Sequence, residues 1–329
     1  MSTVALDRLL AGLVAAQLAT GLLTLRAGTE SSAVLFIAHG LLGGMLLVAA
    51  VLKVRRSLPR AIRARRWGRI AGSLAVALLV AAALTGGFTW VASGRILSIG
   101  PWTVLTLHVW AALALVPVLV LHLLPHRWRV VRAPTPGGLS RRAFLATGLL
   151  AVAGGAAWAA AGALEAIQGG ARRFTGSRML PEGGIPPVTT FFGEGTPSID
   201  LATWRLRVGG RVGRALTLDL EALSALGETE VDPILDCTSG WALRTRWRGV
   251  RLAEILAQAA PQDAATHVVV RSVTGWSTDL SLSEASEALI ATHVAGQPLP
   301  AGNGAPARLV VPTRRGLDWV KWVSEVTVS

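Results

Sequence analysis

The chain has one cysteine, Cys237, in the stretch Leu235-Asp-Cys-Thr-Ser-Gly-Trp-Ala-Leu-Arg-Thr-Arg-Trp-Arg-Gly-Val250. It ends a short apolar run, 231–235, and is followed by small turn-forming residues, two tryptophans and several arginines. A thiolate among cations is depressed in pKa and suits a soft metal or nucleophilic chemistry. The alternative is a buried thiol acting as a small hydrophobe. Asp236 and Asp318 are placed for acid–base work or for structural hydrogen bonds. Arg244, Arg246, Arg248, Arg251, Arg314 and Arg315 make the neighbourhood basic, suiting an anionic substrate or a cofactor phosphate, or forming a solvated surface.

A second chemistry-bearing set is histidine inside apolar sequence. His39 and His108 each lie about seven residues from the start of a long apolar run. Those runs are the second and fourth of the chain, so they would cross a bilayer in the same direction and place both imidazoles at similar depth. Polar groups at that depth mark function. Two facing imidazoles in a helix bundle are what an axially ligated haem b requires. His122 follows His108 by 14 residues, on the same helical face and about 21 Å further along. It would serve a second haem, although the residue 14 beyond His39 is Lys53. Hydrogen-bonded structural histidines or a quinone pocket are the other readings.

The elements that must position these groups follow from composition. The chain has 329 residues, 52% of them hydrophobic, a formal charge of +13 and a mean hydropathy of +0.51. A chain this apolar and this basic points to a membrane protein whose cations sit in cytoplasmic loops rather than on nucleic acid. A lone cysteine excludes an intrachain disulfide framework. There are 12 tryptophans and no tyrosine, several of the former near the ends of apolar runs, as in an interfacial belt.

Four runs, roughly 4–25, 33–52, 70–92 and 101–124, reach the ~20 residues that span hydrocarbon. Lys53, Arg55, Arg56, Arg60, Arg63, Arg65, Arg66 and Arg69 lie between the second and third, and His126, Arg127, Arg129 and Arg132 follow the fourth. The other two connections hold only Arg26 and Arg95. The positive-inside rule therefore places the N terminus in the cytoplasm. After a Pro/Gly linker comes Ser140-Arg-Arg-Ala-Phe-Leu145 and an Ala/Gly-rich apolar run to Leu164. This is either a plain fifth span anchored by Arg141 and Arg142 or a twin-arginine export signal within the chain. The second reading suits a cargo that must fold around a cofactor before crossing.

From about Gly176 the composition is that of a soluble domain. The pattern predicts strands over 204–208, 267–272 and 308–311, helices over 218–226 and 252–259, and a capping box at Ser281–Glu284. Helices and strands mix without regular alternation, which predicts an α+β domain. There is no Gly-rich nucleotide fingerprint and no Walker-type loop.

The segments Asp236-Cys-Thr-Ser-Gly-Trp241 and Trp247-Arg-Gly-Val-Arg-Leu252 resemble the molybdenum-ligand region of sulfite-oxidase-like molybdopterin oxidoreductases. Gly304-Ala-Pro-Ala-Arg-Leu309 with Val320-Lys-Trp322 resembles that family's second cofactor-binding segment, within a similarity covering about 185–329. The resemblance is nearest to the bacterial methionine-sulfoxide reductase catalytic subunits. It implies a mixed α+β fold and a molybdenum–molybdopterin cofactor with Cys237 as metal ligand. It also implies that Ser272, Asn303, Arg308 and Lys321 lie against the pterin and its phosphate. Those reductases work with a separate haem b membrane subunit. Here Val188-Thr-Thr-Phe-Phe-Gly193 stands where the family carries an Asn/His/Arg-containing segment, and an active-site tyrosine is impossible.

Taken together, the sequence predicts a membrane α-helical bundle of four spans plus a fifth signal or anchor span, followed by an α+β molybdopterin-binding domain. The expected divisions are a cytochrome b-like unit over 1–127, a cytoplasmic linker over 128–142, the fifth span over 143–165 and an extracytoplasmic oxidoreductase domain over 166–329. The expected function is electron exchange between an outer substrate and haem b, with a quinone or membrane electron-transfer protein beyond it. A sulfoxide or N-oxide reductase is the alternative, and a metal-free binding or sensor module is the alternative of another class. Membrane lipid and the twin-arginine translocase are the further expected partners.

Overall fold

The computed structural model describes residues 3–65, 67–124, 141–189 and 194–329. Two compact units divide the chain, one of 1–24 and 30–178, the other of 25–29 and 179–329. The expected linker over 128–142 falls largely outside the described residues, as does His126.

The first unit is helical: α1 (Thr3–Thr24), α2 (Ala33–Arg63), α3 (Trp67–Ala92), α4 (Val104–Leu123) and α5 (Arg141–Ile167). All five are long and apolar enough to cross a membrane. Their sequences are apolar on every side, so no polar stripe marks a water-facing surface. A small interior of Leu6, Leu13 and Val14 on α1, Leu46 and Ala49 on α2 and Leu115 on α4 packs away from the surface. α2 runs eleven residues beyond the expected end at Leu52 because Lys and Arg are good helix formers and the basic loop continues the helix through Arg63.

Close helix contact is made by small residues. A Cβ on Gly44 would lie 2.2 Å from the Gly154 carbonyl oxygen, and one on Gly40 would lie 2.1 Å from the Trp158 Nε1. Gly40 and Gly44 are four apart, the spacing that lets helices approach to backbone contact in lipid, and α5 fills the groove they leave on α2. At the end of α5, Glu165 accepts from Arg172 Nε at 2.7 Å and from Arg178 Nη1 at 2.9 Å. Arg178 Nη2 also donates to the carbonyls of Trp90 and Val91, which satisfies the C-terminus of α3.

The second unit is α+β, with three sheets. In the first, β10 (His267–Ser272) lies between β11 (Ser277–Ser281) and β15 (Val323–Val328), and β15 runs parallel to β4 (Leu206–Gly210), which pairs β5 (Leu216–Leu218). In the second, β12 (Leu289–Val294) pairs β13 (Gln297–Pro298), β14 (Arg308–Val310) and β9 (Trp247–Arg251), with β6 (Glu228–Val231) outside β9. The third is β3 (Arg178–Met179), β8 (Trp241–Arg244) and β7 (Ile234–Asp236). A two-stranded ribbon, β1 (Ser98–Ile99) with β2 (Trp102–Thr103), leads into α4.

Burial explains the elements. β10 buries Val268, Val270 and Ser272 with a period of two. The helix Leu252–Ala259 buries Leu252, Ile255, Leu256 and Ala259, the i, i+3, i+4, i+7 face. The capping box at Ser281 and Glu284 is formed. Two expectations shift by two residues. The strand read at 204–208 lies at Leu206–Gly210, since the Trp204 indole donates to the Val323 carbonyl at 3.0 Å and fixes what precedes it. The helix read at 218–226 shortens to Leu220–Ser224, because β5 takes Leu218 and Asp219 caps the Ala222 N–H at 2.9 Å.

The α2–α5 seam gives a direct test. Gly44→Val should lower the thermal midpoint of the detergent-solubilised protein, by the about 1–3 kcal/mol typical of overpacking. Gly12→Ala, with nothing within 4 Å of the added Cβ, should leave it unchanged or raised.

Candidate functional site

Cys237 occupies the first position of the tight turn joining β7 to β8. Its N–H donates to the Trp241 carbonyl at 2.8 Å, and the Gly240 N–H donates to its own carbonyl at 3.0 Å. Gly240 has φ +100, a backbone that side-chain-bearing residues rarely adopt. The sulfur lies 3.0 Å from Ser239 Oγ and 3.5 Å from Thr189 Oγ1. Beneath the turn is a buried ion pair. Arg315 reaches Asp236 Oδ1 with Nε at 3.2 Å and Nη2 at 3.1 Å, and the same Nη2 donates to the Cys237 carbonyl at 3.2 Å. Gly316 allows this approach, since a Cβ there would be 3.0 Å from Leu235 Cδ1.

A cation pair lies within electrostatic reach of the thiol. Lys321 Nζ donates to the carbonyls of Thr189 and Gly302, both at 2.7 Å. Arg308 is buried over the Trp247 ring, 5.3 Å from its centroid, and donates through Nη1 to the Asn303 carbonyl at 3.0 Å. Its Nε has no hydrogen-bond acceptor. Asn303 Nδ2 donates to the Pro186 carbonyl at 2.9 Å, so the extended segment 185–189 runs from Asn303 to Cys237. Burial pulls Lys321 down to about 8, helped by the Arg308 charge and opposed by Cys237 and Glu194. Burial likewise pulls Arg308 down to about 10, with Cys237 opposing. Ser272 is buried at the end of β10, where its hydroxyl accepts from the Thr274 N–H at 3.1 Å. Thr274 in turn donates to Glu194.

The structure thus gathers Cys237, Asn303, Arg308 and Lys321 around one segment, with Ser272 joined through Thr274 and Glu194. It assigns Asp236 and Asp318 to structural bonds: Asp236 to Arg315, Asp318 to Thr278 at 2.8 Å and to Arg314. Thr189 and Ser239, which face the sulfur, carry no sequence signal beyond their nearness to the motifs.

In the helical unit, the His39 and His108 ring centroids are 6.0 Å apart with planes at 90°. His108 Nδ1 lies 2.6 Å from the Ala83 carbonyl, which can only accept. His39 Nδ1 lies 2.9 Å from Thr20 Oγ1, whose own proton goes to the Ala16 carbonyl at 2.8 Å. Both rings are therefore in the Nδ1–H tautomer, with the Nε2 lone pairs left to bind. Metal–imidazole bonds of about 2.0 Å to both rings place their centroids about 6 Å apart. His122 packs beside Gly72, while the residue at the matching height on α2, Lys53, is paired with Asp7. No second histidine is brought to His122 among the described residues. Nor do these hold a cluster of three His, Cys, Asp or Glu side chains that would complete a metal site.

The second unit's motifs define a molybdopterin-binding domain: residues 193–329 match the family described as "Oxidoreductase molybdopterin binding domain". Mouse (Mus musculus) mitochondrial sulfite oxidase is 33% identical over 186 residues, 46% of this chain and 34% of that protein. The methionine-sulfoxide reductase catalytic subunit MsrP of Xanthomonas axonopodis is 31% identical over 147 residues, 39% of this chain and 46% of that one. The uncharacterized oxidoreductase YuiH of Bacillus subtilis is 32% identical over 152 residues, 43% of this chain and 77% of its own length. The chain belongs to the molybdopterin-binding oxidoreductases of the sulfite oxidase and MsrP type. It spans less than half the length of the first two relatives.

The residues fit the cofactor this family implies. A thiol flanked by hydroxyls offers one soft ligand, and the unsatisfied Arg308 Nε with the depressed Lys321 describes buried cations short of an anion. Folding favours the neutral Lys321 amine, so this group's contribution to the stability of the cofactor-free protein is at its lowest below pH 8. That contribution should rise as pH climbs from about 8 towards the ordinary lysine value of 10.5. Chemical-denaturation midpoints across that range should show the rise, Lys321→Met should abolish it, and a bound anion should flatten it.

Proposed function

We propose that this chain is a membrane-anchored molybdenum oxidoreductase that passes electrons between an extracytoplasmic substrate and a haem b held by His39 and His108, with a quinone or membrane electron-transfer protein beyond the haem. The observation carrying the molybdenum half is Cys237 with Arg308 and Lys321 drawn around the segment 185–189. The haem half rests on two imidazoles fixed in one tautomer at the separation a shared metal requires. The five apolar helices and the run of cations from Lys53 to Arg69, most of them on the C-terminal turns of α2, support a multi-pass chain with the N terminus in the cytoplasm.

When bound, the cofactor supplies oxygen-atom transfer coupled to two-electron change at the metal. The chain's residues do the rest. Cys237 would hold the metal, Ser239 and Thr189 present hydroxyls to its sulfur, and Arg308 and Lys321 would hold the anionic end of the pterin. In the reductive direction a sulfoxide or N-oxide takes two electrons and two protons and leaves as the sulfide or amine with water.

One observation favours such a neutral substrate over an anion such as sulfite. Arg248, Arg251, Arg314 and Arg315 face Glu228, Glu287, Glu284 and Asp236, and Arg244 is tied to the Asp232 carbonyl and Glu182. Arg246 is exposed five residues past Trp241, about 16 Å along the hairpin from the Cys237 end. The charges the sequence offers to an anion are thus already matched or remote.

Purified protein should carry about one molybdenum per chain and a low-spin b-type absorption band. Cys237→Ser should remove turnover, and His39→Ala or His108→Ala should remove the band. Turnover should be seen with a neutral sulfoxide and not with sulfite. Wild-type protein free of molybdenum, or a band that survives both histidine changes, overturns the corresponding half.

A domain that binds its cofactor on folding in the cytoplasm must cross the membrane folded. The proposal therefore includes export of the outer domain by the twin-arginine route through Arg141 and Arg142; Arg141 opens α5, and the side chain of Arg142 lies outside the described residues. Changing both to lysine keeps the charge and should leave the domain inaccessible to protease in intact cells. Unchanged accessibility with molybdenum in place would reduce the pair to anchors.

A further inference from the structure

α1 supplies no metal ligand, yet it grips His39 at two points one turn apart. Gln17 Nε2 donates to the His39 carbonyl at 2.9 Å, and Thr20 Oγ1 receives the Nδ1–H at 2.9 Å. Thr20 has a single hydroxyl proton, spent on the Ala16 carbonyl at 2.8 Å, so towards the imidazole it acts only as an acceptor. Gly21, next on α1, leaves room for the ring: a Cβ there would stand 3.3 Å from His39 Cε1. The ring also bonds to the Gln17 main-chain carbonyl, so Thr20 is its side-chain partner and not its sole one; the partner ring has no side-chain acceptor among the described residues. His108 bonds to the main-chain carbonyl of Ala83, which no substitution removes.

We infer that Thr20 is the positioning residue of the haem: it fixes the tautomer and orientation of His39 and sets how strongly that ring donates to iron. This rests on the haem reading above. An acceptor on the distal nitrogen of a ligating histidine raises its basicity and holds its orientation, and losing one typically costs about 10–100-fold in metal affinity. Without the hydroxyl, the ring can move its proton to Nε2 and withdraw its lone pair from the metal. While it remains bound, it donates less, so the oxidised iron loses stabilisation and the midpoint potential rises. Thr20 is also the one side-chain acceptor on the pair's Nδ1 atoms among the described residues, so it is where variation can tune the haem without touching a ligand.

The test compares wild type, Thr20→Val, Thr20→Ser and His39→Ala in the purified full chain, reading haem content, the reduced-minus-oxidised spectrum and a redox titration. Valine keeps the shape and removes the acceptor; serine restores it. Thr20→Val should retain haem about 10–100-fold more weakly, with a raised midpoint potential in the fraction that remains. Thr20→Ser should return both towards wild type, while molybdenum content stays unchanged in all four. If Thr20→Val matches wild type in retention and potential while His39→Ala loses the band, the inference is overturned and the haem stands. If Thr20→Val loses molybdenum together with haem, the effect is misfolding and the positioning role is wrong. Wild type without a b-type band overturns the haem reading and this inference with it.

Discussion

The molybdopterin-binding unit depends on a charge pair taken out of water. Asp236 and Arg315 are 79 positions apart and each side chain is about 4% exposed, so neither can be left alone. Removing one partner of such a pair costs about 3–5 kcal/mol, because the other remains as an uncompensated buried charge. Arg315 also donates to the Cys237 carbonyl, so the pair joins the turn that bears the thiol to the segment leading to Lys321. Gly316 permits the approach, and Asp318 is secured two residues further on by Thr278 and Arg314. The geometry around the sulfur follows from that closure. Lys321 follows the clamped segment, and the loop 302–308 reaches the same place through Asn303 and Arg308.

The two units solve opposite solvation problems. In the helical unit each helix satisfies its own backbone, which frees its outer side chains to be apolar, and several of its polar side chains have a fixed partner. His39 has Thr20, His108 has Ala83, Lys53 has Asp7, and Arg178 has Glu165 with the end of α3. The second unit buries ordinary apolar faces and places two buried cations, Arg308 and Lys321, near the Cys237 thiol.

Much of this was legible in the sequence. Apolar length marked the five long helices, periodicity marked 252–259 and 267–272, and the capping box at Ser281 stood as read. The motif residues Cys237, Asn303, Arg308 and Lys321 do converge. What stayed hidden depended on distant partners. Nothing local distinguishes Arg315, which serves a buried aspartate, from Arg308, which does not. Arg248 looked available to an anion because its Glu228 lies 20 positions earlier on a neighbouring strand. The parallel pairing of β15 with β4 was equally invisible, since alternation declares a strand and not its neighbour. The extension of α2 past Leu52 shows that a hydropathy boundary is where apolar sequence stops, not where a helix must.

The contact between α2 and α5 has a consequence for biogenesis. A helix whose glycines accept another backbone at van der Waals distance is unfinished until that second helix arrives. In a chain that inserts span by span, Gly40 and Gly44 present an open groove on the helix that carries His39, and α5 is the last apolar segment made. α5 is thus the keystone of the helical unit, and removing it would unseat that fold.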